Sequence, residues 1–570
     1  MLSRRWVYIA AIAALQLSAA TRFATAAPRK DLSIRRQLPA TSALCIVSQN
    51  VLQLDTRILR MQRRISGQAP PDDIFVMAKM MLGPYWDTAA PVAWVIPTPR
   101  KAQSIESRRS LVILRATDAA KFIAGFKTGA TKGGITPGAI RGGHWFMTNR
   151  GNWIFLSTSS STLKAYLKGQ SGLKLSADMR KSLAKSDLAI EGDTAALRKI
   201  LSQPTTAMAL SQLPVNKMPL GSAPLGILLH ELDAAIARQT TDSTVRSLLT
   251  ADFGRRAMVY NLTVQFKADS SIVKVVGAQS PLPANALAGL PSVRYNALYA
   301  DSINGAAVAH WLGKLLPARH HAAQPAGSHA FDPHNAFQTC LHILADHTGS
   351  SAVMLARPSA VSPTALTPGE WDGGPALILI RTQHPLAQLH RLAKLAACGH
   401  SPPAPHAAAT RSAGVPAIKI SNVQILGLPT LRIDIGPAGV AQPAHHVEII
   451  KVATHRLLAC VDTTSAVTQS AIKTARMNVS AIIKRPGLAQ SMADRLPGSF
   501  MVAYLPIARW SQSQGGTAAP KAANALTLGL PPPPAVFSVA AGKQSLKMQM
   551  VVPMATMEQC IPGSPGGGLF

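Results

Sequence analysis

Acidic and aromatic side chains are scarce in this chain of 570 residues: 26 Asp and Glu stand against 58 Lys and Arg, and aromatics make up 5%. So few acids leave little material for paired-carboxylate chemistry. Asp72-Asp73 and the pair Glu370 and Asp372 lie in loop-like stretches with no partner at a readable spacing, whereas a glycosidase needs two carboxyls flanking a sugar. Cysteine is equally sparse, with Cys45, Cys340, Cys398, Cys460 and Cys560 as the full set. None forms a C-x-x-C pair, which excludes zinc ribbons and thioredoxin-like motifs. Beyond residue 26 there is no apolar run of about 18 residues, so no membrane-spanning helix is expected. No G-x-S-x-G elbow occurs, and GFKTGATKGG does not match the phosphate-cradling G-x-x-x-x-G-K-[ST] pattern. A polybasic tail and a basic strand interleaved with aromatics are also missing, so specific nucleic-acid binding is not expected.

The N-terminus carries positive information. Arg4 and Arg5 precede an apolar run from Trp6 to Leu17, and Ala24-Thr25-Ala26 supplies a small-x-small cleavage site before Ala27-Pro28. This three-part pattern predicts a secretory signal over residues 1–26, a linker over 27–39, and a periplasmic or extracellular mature chain. Cys45 is the first cysteine, too far from that site for a lipid-modified start. Export permits disulfides. One bridge among Cys340, Cys398 and Cys460 is therefore an expectation, while Cys45 and Cys460 sit in apolar strand-like runs and read as buried thiols. Removing residues 1–26 takes away three arginines and no acid, leaving 55 basic against 26 acidic residues, a balance of +29. Such a field favours anionic partners such as lipid headgroups and acidic polysaccharide. The densest basic group is Arg57, Arg60, Arg63 and Arg64.

Periodicity predicts α+β architecture in two similar modules, at 40–286 and 287–558, each a mainly antiparallel sheet with helices packed on one face, followed by a disordered tail at 559–570. In the first half, Ala43–Ser48 reads as a strand and Asn50 as a helix cap. Val51, Leu54, Ile58, Met61 and Ile65 then recur at spacings of three and four, with the arginines on the other face. Strands follow at Val92–Ile96 and Leu111–Arg115, then a short helix capped by Thr117 or Asp118 and carrying Phe122, Ile123 and Phe126. A hairpin joins His144–Thr148 to Trp153–Ser157, and a helix runs through Leu163 and Tyr166. Further expectations are a strand at Asp187–Glu191, helical stretches near 194–201 and 224–250, and a strand pair at 256–266 and 271–277. The second half runs through similar steps: strands at Asn296–Ala300, Ala352–Ala356 and Ala376–Arg381, helices through Trp311 and from Leu386 to Ala397, a hairpin at 447–452 and 455–461, a helix through Ile472, and strands at Ser499–Leu505, 535–540 and 545–552. Segments 317–334, 399–416 and 512–534, rich in Pro, Ala, His, Gly or Ser, read as surface loops.

The order strand–helix, the hairpin segment GGHWFMTNRGNWIFLSTSSSTLKAYL, the stretch VGAQSPLPANALAGLP and the ending KMQMVVPMATMEQC together resemble a class of exported bacterial proteins carrying a domain of unknown function. The resemblance spans most of the mature chain. It implies an envelope or secreted location, and no catalytic residue transfers with it.

Ser161-Thr-Leu-Lys164, Ser182-Leu-Ala-Lys185 and Ser470-Ala-Ile-Lys473 match S-x-x-K, and Lys127-Thr128-Gly129 matches K-T-G. In serine β-lactamases and penicillin-binding proteins K-T-G follows the nucleophile. Here it precedes all three, so Ser161 reads as a helix cap. His320, His321, His329, His334, His342 and His347 are concentrated in sequence, but His342 and His347 are five apart and share no helical face. His230-Glu231 lacks the second His of H-E-x-x-H. Asn261-Leu-Thr and Asn478-Val-Ser match glycosylation sequons by chance. No catalytic, cofactor-binding or metal-ligating residue is therefore assigned, and no cofactor is implied. The expected function is a non-enzymatic envelope binding or scaffold protein, with anionic envelope components or an apolar ligand as partner. The alternatives are a polyanion- or anionic-lipid-binding protein, and a hydrolase whose Ser, His and acid are dispersed in sequence.

Overall fold

The alternating and fully apolar runs pair into antiparallel sheets. The computed structural model describes Ile34 and residues 37–38, 42–66, 82–97, 110–140, 142–168, 186–196, 224–315, 333–356, 375–398, 416–437, 445–485, 487–506 and 533–560. The expected signal at 1–26, Ser182, most of each presumed loop and the residues after 560 lie outside the described residues. Among the described residues the chain is mixed α/β, with nineteen strands and twelve helices.

The chain divides into two compact units, one drawn from Met1–Lys217, Thr244–Lys267 and Met550–Phe570, the other from Met218–Ser243 and Ala268–Gln549. These boundaries differ from the expected 40–286 and 287–558. Tertiary packing, which sequence order does not encode, sorts the helix Pro224–Ser243 and the stretch after 268 with the later residues.

The first unit contains β1 (Ser42–Ser48), α1 (Val51–Ser66), β2 (Val92–Pro97), β3 (Leu111–Arg115), α2 (Ala119–Phe126), β4 (Thr136–Ile140), β5 (Gly143–Arg150), β6 (Trp153–Ser157), α3 (Ser160–Lys168) and β7 (Leu188–Asp193). The chain then forms α4 (Pro224–Ser243) in the second unit and returns for β8 (Thr244–Phe253) and β9 (Ala257–Phe266). The strands lie in the order β4-β5-β6-β3-β2-β1-β7-β8-β9, every pair antiparallel. All five residues of β6 are buried, as expected for a central strand covered on both faces. On one face Phe155, Ile113, Cys45 and Val47 pack with Leu163 and Tyr166 of α3. On the other, Ile154, Leu156, Leu114 and Met147 pack with Phe122 of α2 and Leu52 of α1. The expectation of helices on a single face is thus corrected. Strands this apolar expose two hydrophobic surfaces, and burying each large side chain is worth about 1.5–3 kcal/mol.

The second unit continues with α5 (Ser271–Gly277), β10 (Tyr295–Asp301), α6 (Gly305–Leu315), α7 (Pro333–Ala345), β11 (Ser351–Ala356), β12 (Ala376–Arg381) and α8 (Pro385–Cys398). It goes on through β13 (Pro416–Ile425), β14 (Leu428–Pro437), β15 (His445–Ala453), β16 (Arg456–Val461), α9 (Ser465–Met477), a 3₁₀ turn (Ile482–Lys484), α10 (Leu488–Ala493), β17 (Ser499–Leu505) and β18 (Ala535–Ala541). Its order is β13-β14-β15-β16-β12-β11-β10-β17-β18, again antiparallel. α8 covers the face bearing Leu431, Ile449 and Leu457. Phe337 and Leu341 of α7 pack with Ala309 and Leu312 of α6 and Leu232 of α4. The close approach of α6 and α7 demands glycine at 305, since a Cβ there would sit 1.9 Å from the Leu344 carbonyl oxygen. The chain then runs into β19 (Ser545–Pro553), and α11 (Met554–Cys560) packs against α1 in the first unit.

Several sequence readings need correction. Residues 271–277 form a helix, not a strand: Ile272, Val275 and Val276 make a helical stripe, and α5 packs against α4 and α6. The true strand pair is β8 with β9, so the helix expected through 250 ends at Ser243, and Thr244–Phe253 is a strand held by β7 and β9. Strands β4, β13 and β14 and helix α7 went unread. The tail expected from 559 overlaps α11, since Gln559 and Cys560 finish that helix. Cys340 and Cys460 are both free thiols, so no bridge joins any two of Cys340, Cys398 and Cys460.

Candidate functional site

The most basic stretch of the sequence is presented by a well-anchored helix. Asn50 caps α1 by accepting the Gln53 N–H at 2.8 Å, and Leu54, Ile58 and Leu59 fix its apolar face in the core. That leaves Gln53, Thr56, Arg57 and Arg60 facing outward. Opposite them the β8–β9 turn supplies Phe253, Gly254 and Arg255. Together these seven residues line a cleft of about 300 Å³. Gly254 shapes the turn: its N–H donates to the Ala257 carbonyl at 3.0 Å, and a Cβ at 254 would lie 2.9 Å from that oxygen. Arg64 ties helix to turn by donating to the Arg255 carbonyl at 2.8 Å.

The arginines of the cleft differ in their partners. Arg57 Nη1 donates to both oxygens of Asp187, at 2.7 and 2.8 Å. Asp187 is 8% exposed and also accepts the Phe253 N–H at 2.9 Å. Its own N–H donates to Asp252 at 3.3 Å. Burial, then the neighbouring Asp187 charge, push the Asp252 carboxyl above its ordinary value. Arg60 and Arg255 are exposed, and neither has an acidic partner among the described residues. Two guanidiniums therefore face solvent over a shallow, partly aromatic floor, an arrangement that attracts and orients an anion.

In the second unit the topology gathers a serine, an acid and a histidine. Asp301 ends β10 and Ser351 opens β11, and their strands pair directly. Ser351 Oγ donates to Asp301 Oδ2 at 2.6 Å, and His347 Nε2 lies 3.6 Å from Asp301 Oδ1. His347 Nδ1 is 3.0 Å from the Arg381 carbonyl, so that nitrogen carries a proton. The order of contacts is wrong for nucleophilic catalysis. The serine proton points at the carboxylate, which sits between hydroxyl and imidazole, whereas a hydrolase needs the imidazole against the hydroxyl. Burial alone would raise the Asp301 carboxyl. The nearby His347 ring, with the hydrogen bonds from Ser351 and the Ile303 N–H, outweighs it and holds the group below its ordinary range. Burial and Asp301 together push Tyr299 up.

A third polar group lies on the β14–β15 face. His446 meets Asp434 at 2.6 Å through Nδ1 and Glu448 at 3.0 Å through Nε2, and Arg432 reaches Glu448 at 2.8 Å. Burial lowers the His446 pKa, but the bonds to Asp434 and Glu448 more than offset this and the net shift is upward. Because the two ring nitrogens address different carboxylates, the group does not converge on one point as metal ligands must.

The motifs read from the sequence are dispersed. Ser159, not Ser161, caps α3: its hydroxyl accepts the Thr162 N–H at 3.4 Å and lies 2.8 Å from the Ser161 hydroxyl. Ser470 and Lys473 are exposed on α9, and His342 is exposed on α7. No group of three metal-type ligands occurs among the described residues. Burial, ahead of the Glu448 charge, pushes the Cys460 thiol up to about 12, which removes it as a nucleophile. Reading from sequence missed Phe253 and Arg255. The signal that locates them is Gly254 between two alternating strands.

No family model matches the chain, and no curated protein matches it. A solved structure described as crystal form I of TP0453 is similar over 42% of this chain and 79% of its own, at 10% identity and a TM-score of 0.22. A likeness that slight carries no argument.

Proposed function

We propose that this is an exported, non-enzymatic binding protein of the cell envelope, and that its ligand is an anion received by the arginine cleft between α1 and the β8–β9 turn. The observation that carries the reading is the pair of exposed guanidiniums, Arg60 and Arg255, at one cleft, with no acidic partner among the described residues. It sits on a chain whose formal balance without residues 1–26 is +29, from 55 basic and 26 acidic residues. Charge of that size draws anions from a distance, and the cleft supplies a place to hold one. The inverted order of contacts at Ser351, Asp301 and His347 weighs against the hydrolase alternative.

The reading also takes the two units as diverged copies of one module, each α+β. Replacing β1, β2 and β3 by β10, β11 and β12, then β4–β6 by β14–β16, and β7 and β8 by β17 and β18, turns the first strand order into the second except at the edges, where β9 is left over and β13 is added. Helices α1 and α6, α2 and α8, and α3 and α9 fall in matching intervals. Export rests on the signal-like residues 1–26, and N-terminal sequencing of the mature protein should begin at Ala27. The likeness to exported bacterial proteins with a domain of unknown function belongs to the same reading.

Retention on heparin or anionic vesicles is the test. Binding should fall as salt rises. An arginine near an anionic surface is worth about 1 kcal/mol, so reversing Arg60 and Arg255 to glutamate should weaken vesicle binding by about tenfold or more. Unchanged retention by a folded double variant would falsify the reading.

A further inference from the structure

We infer that the cleft selects a phosphomonoester, a dianionic phosphate borne on a small organic group, over singly charged anions. This rests on the anion-binding reading above and deepens it. Arg57 is neutralised by Asp187, which it meets at 2.7 Å with a side chain 7% exposed. Arg60 and Arg255, one from the helix and one from the turn, are the cleft arginines with no compensating acid among the described residues. Two positive charges at one small site call for two negative charges on one compact group. A phosphate monoester carries about −1.5 to −2 at neutral pH with three acceptor oxygens, whereas a sulfate ester, a carboxylate or a phosphodiester carries one charge. The planar fork of each guanidinium matches two phosphate oxygens at once.

The rest of the lining accounts for the remainder of the ligand. Gln53 adds an amide and Phe253 an apolar wall, while the Thr56 hydroxyl donates to the Leu52 carbonyl at 2.9 Å. The Phe253 ring is braced edge-on by Tyr260 at 6.4 Å, so the wall is held in place. A volume of about 300 Å³ admits the phosphate and a group no larger than a glycerol or one sugar ring, at the small end of ligand sites. A long polymer with spaced charges would instead need a track of cations.

Two sources share this chemistry, a soluble phosphorylated metabolite and a lipid-borne headgroup. The experiment uses the full mature chain with vesicles containing phosphatidic acid, a monoester, or phosphatidylglycerol, a diester, adjusted to equal surface charge. We expect about tenfold tighter binding to phosphatidic acid near pH 7.5. That preference should shrink toward about pH 5, because the second phosphate proton binds with a pKa near 6. Arg60→Gln and Arg255→Gln should each abolish the preference while far-UV circular dichroism and melting stay unchanged. Glycerol 3-phosphate that displaces the vesicles assigns the site to the soluble headgroup; a preference it cannot displace assigns it to the lipid surface. Equal binding to both vesicles, or a preference that survives both glutamine variants, overturns the inference. If heparin retention still depends on Arg60 and Arg255 in that case, only the phosphomonoester assignment has failed. If it does not, the anion cleft has failed with it.

Discussion

Asp187 in the first unit and Asp301 in the second are both carboxylates at strand ends, 8% and 6% exposed, yet they are satisfied in opposite ways. Asp187 is met by the Arg57 guanidinium, which reaches in from the surface. Asp301 is met from within, by the Ser351 hydroxyl, the Ile303 N–H and the His347 ring. The first arrangement leaves charged groups at the surface with capacity to spare. The second uses up the donors around it. A buried acid by itself therefore says little about function, and the donor that satisfies it says more.

Removing each acid separates the two cases. Asp301→Ala strands several donors, and a buried group left unpaired costs about 1–3 kcal/mol, so we expect a loss of about 3 kcal/mol in urea denaturation with no change in heparin retention. Asp187→Ala should cost about 2 kcal/mol, less because Arg57 is 31% exposed and can turn to water. It should also raise the salt needed for heparin elution, since Arg57 is then free. Identical heparin behaviour in the two variants would break the comparison.

Acid titration sharpens it further. The folded-state pKa of Asp301 lies below the ordinary 3.8, so its contribution is present above that value and is lost as pH falls through the lower folded one. The wild-type urea midpoint should drop on acidification below about pH 4 more steeply than that of Asp301→Asn. The smallest effect is expected at His446, whose pKa is raised. Its contribution is complete below the ordinary 6.5 and fades as pH rises through the folded value, so His446→Gln should lower the midpoint near pH 5.5 and leave it unchanged near pH 8.5.

Much of the secondary structure could be read from local pattern. Asn50 and Asp118 cap the helices they were expected to start, and the hairpin from Gly143 to Ser157 pairs around its Gly151-Asn152 turn. Failures came where context decides. SIVKVVG is rich in β-branched residues yet helical, because α5 lies against two other helices rather than in a sheet. Strand β8 was missed too, because its run Thr244–Phe253 follows a helix without any Gly or Pro to mark the change. Part of the candidate site was visible as Arg57 and Arg60, within the basic group that also holds Arg63 and Arg64. The other part, Phe253 and Arg255, lies nearly two hundred residues further along, and no spacing rule joins segments so distant.

Charge balance, the scarcity of acids, the amphipathic stripe of α1 and the antiparallel character of most strands follow from residue identity and short-range periodicity, which are properties of the sequence alone. Which helix joins which unit, which buried acid meets which donor, and which arginines line the cleft without a carboxylate among the described residues were decided only by tertiary structure. Those outcomes depend on contacts between residues far apart in the chain, where packing selects one partner from many of the same chemical type.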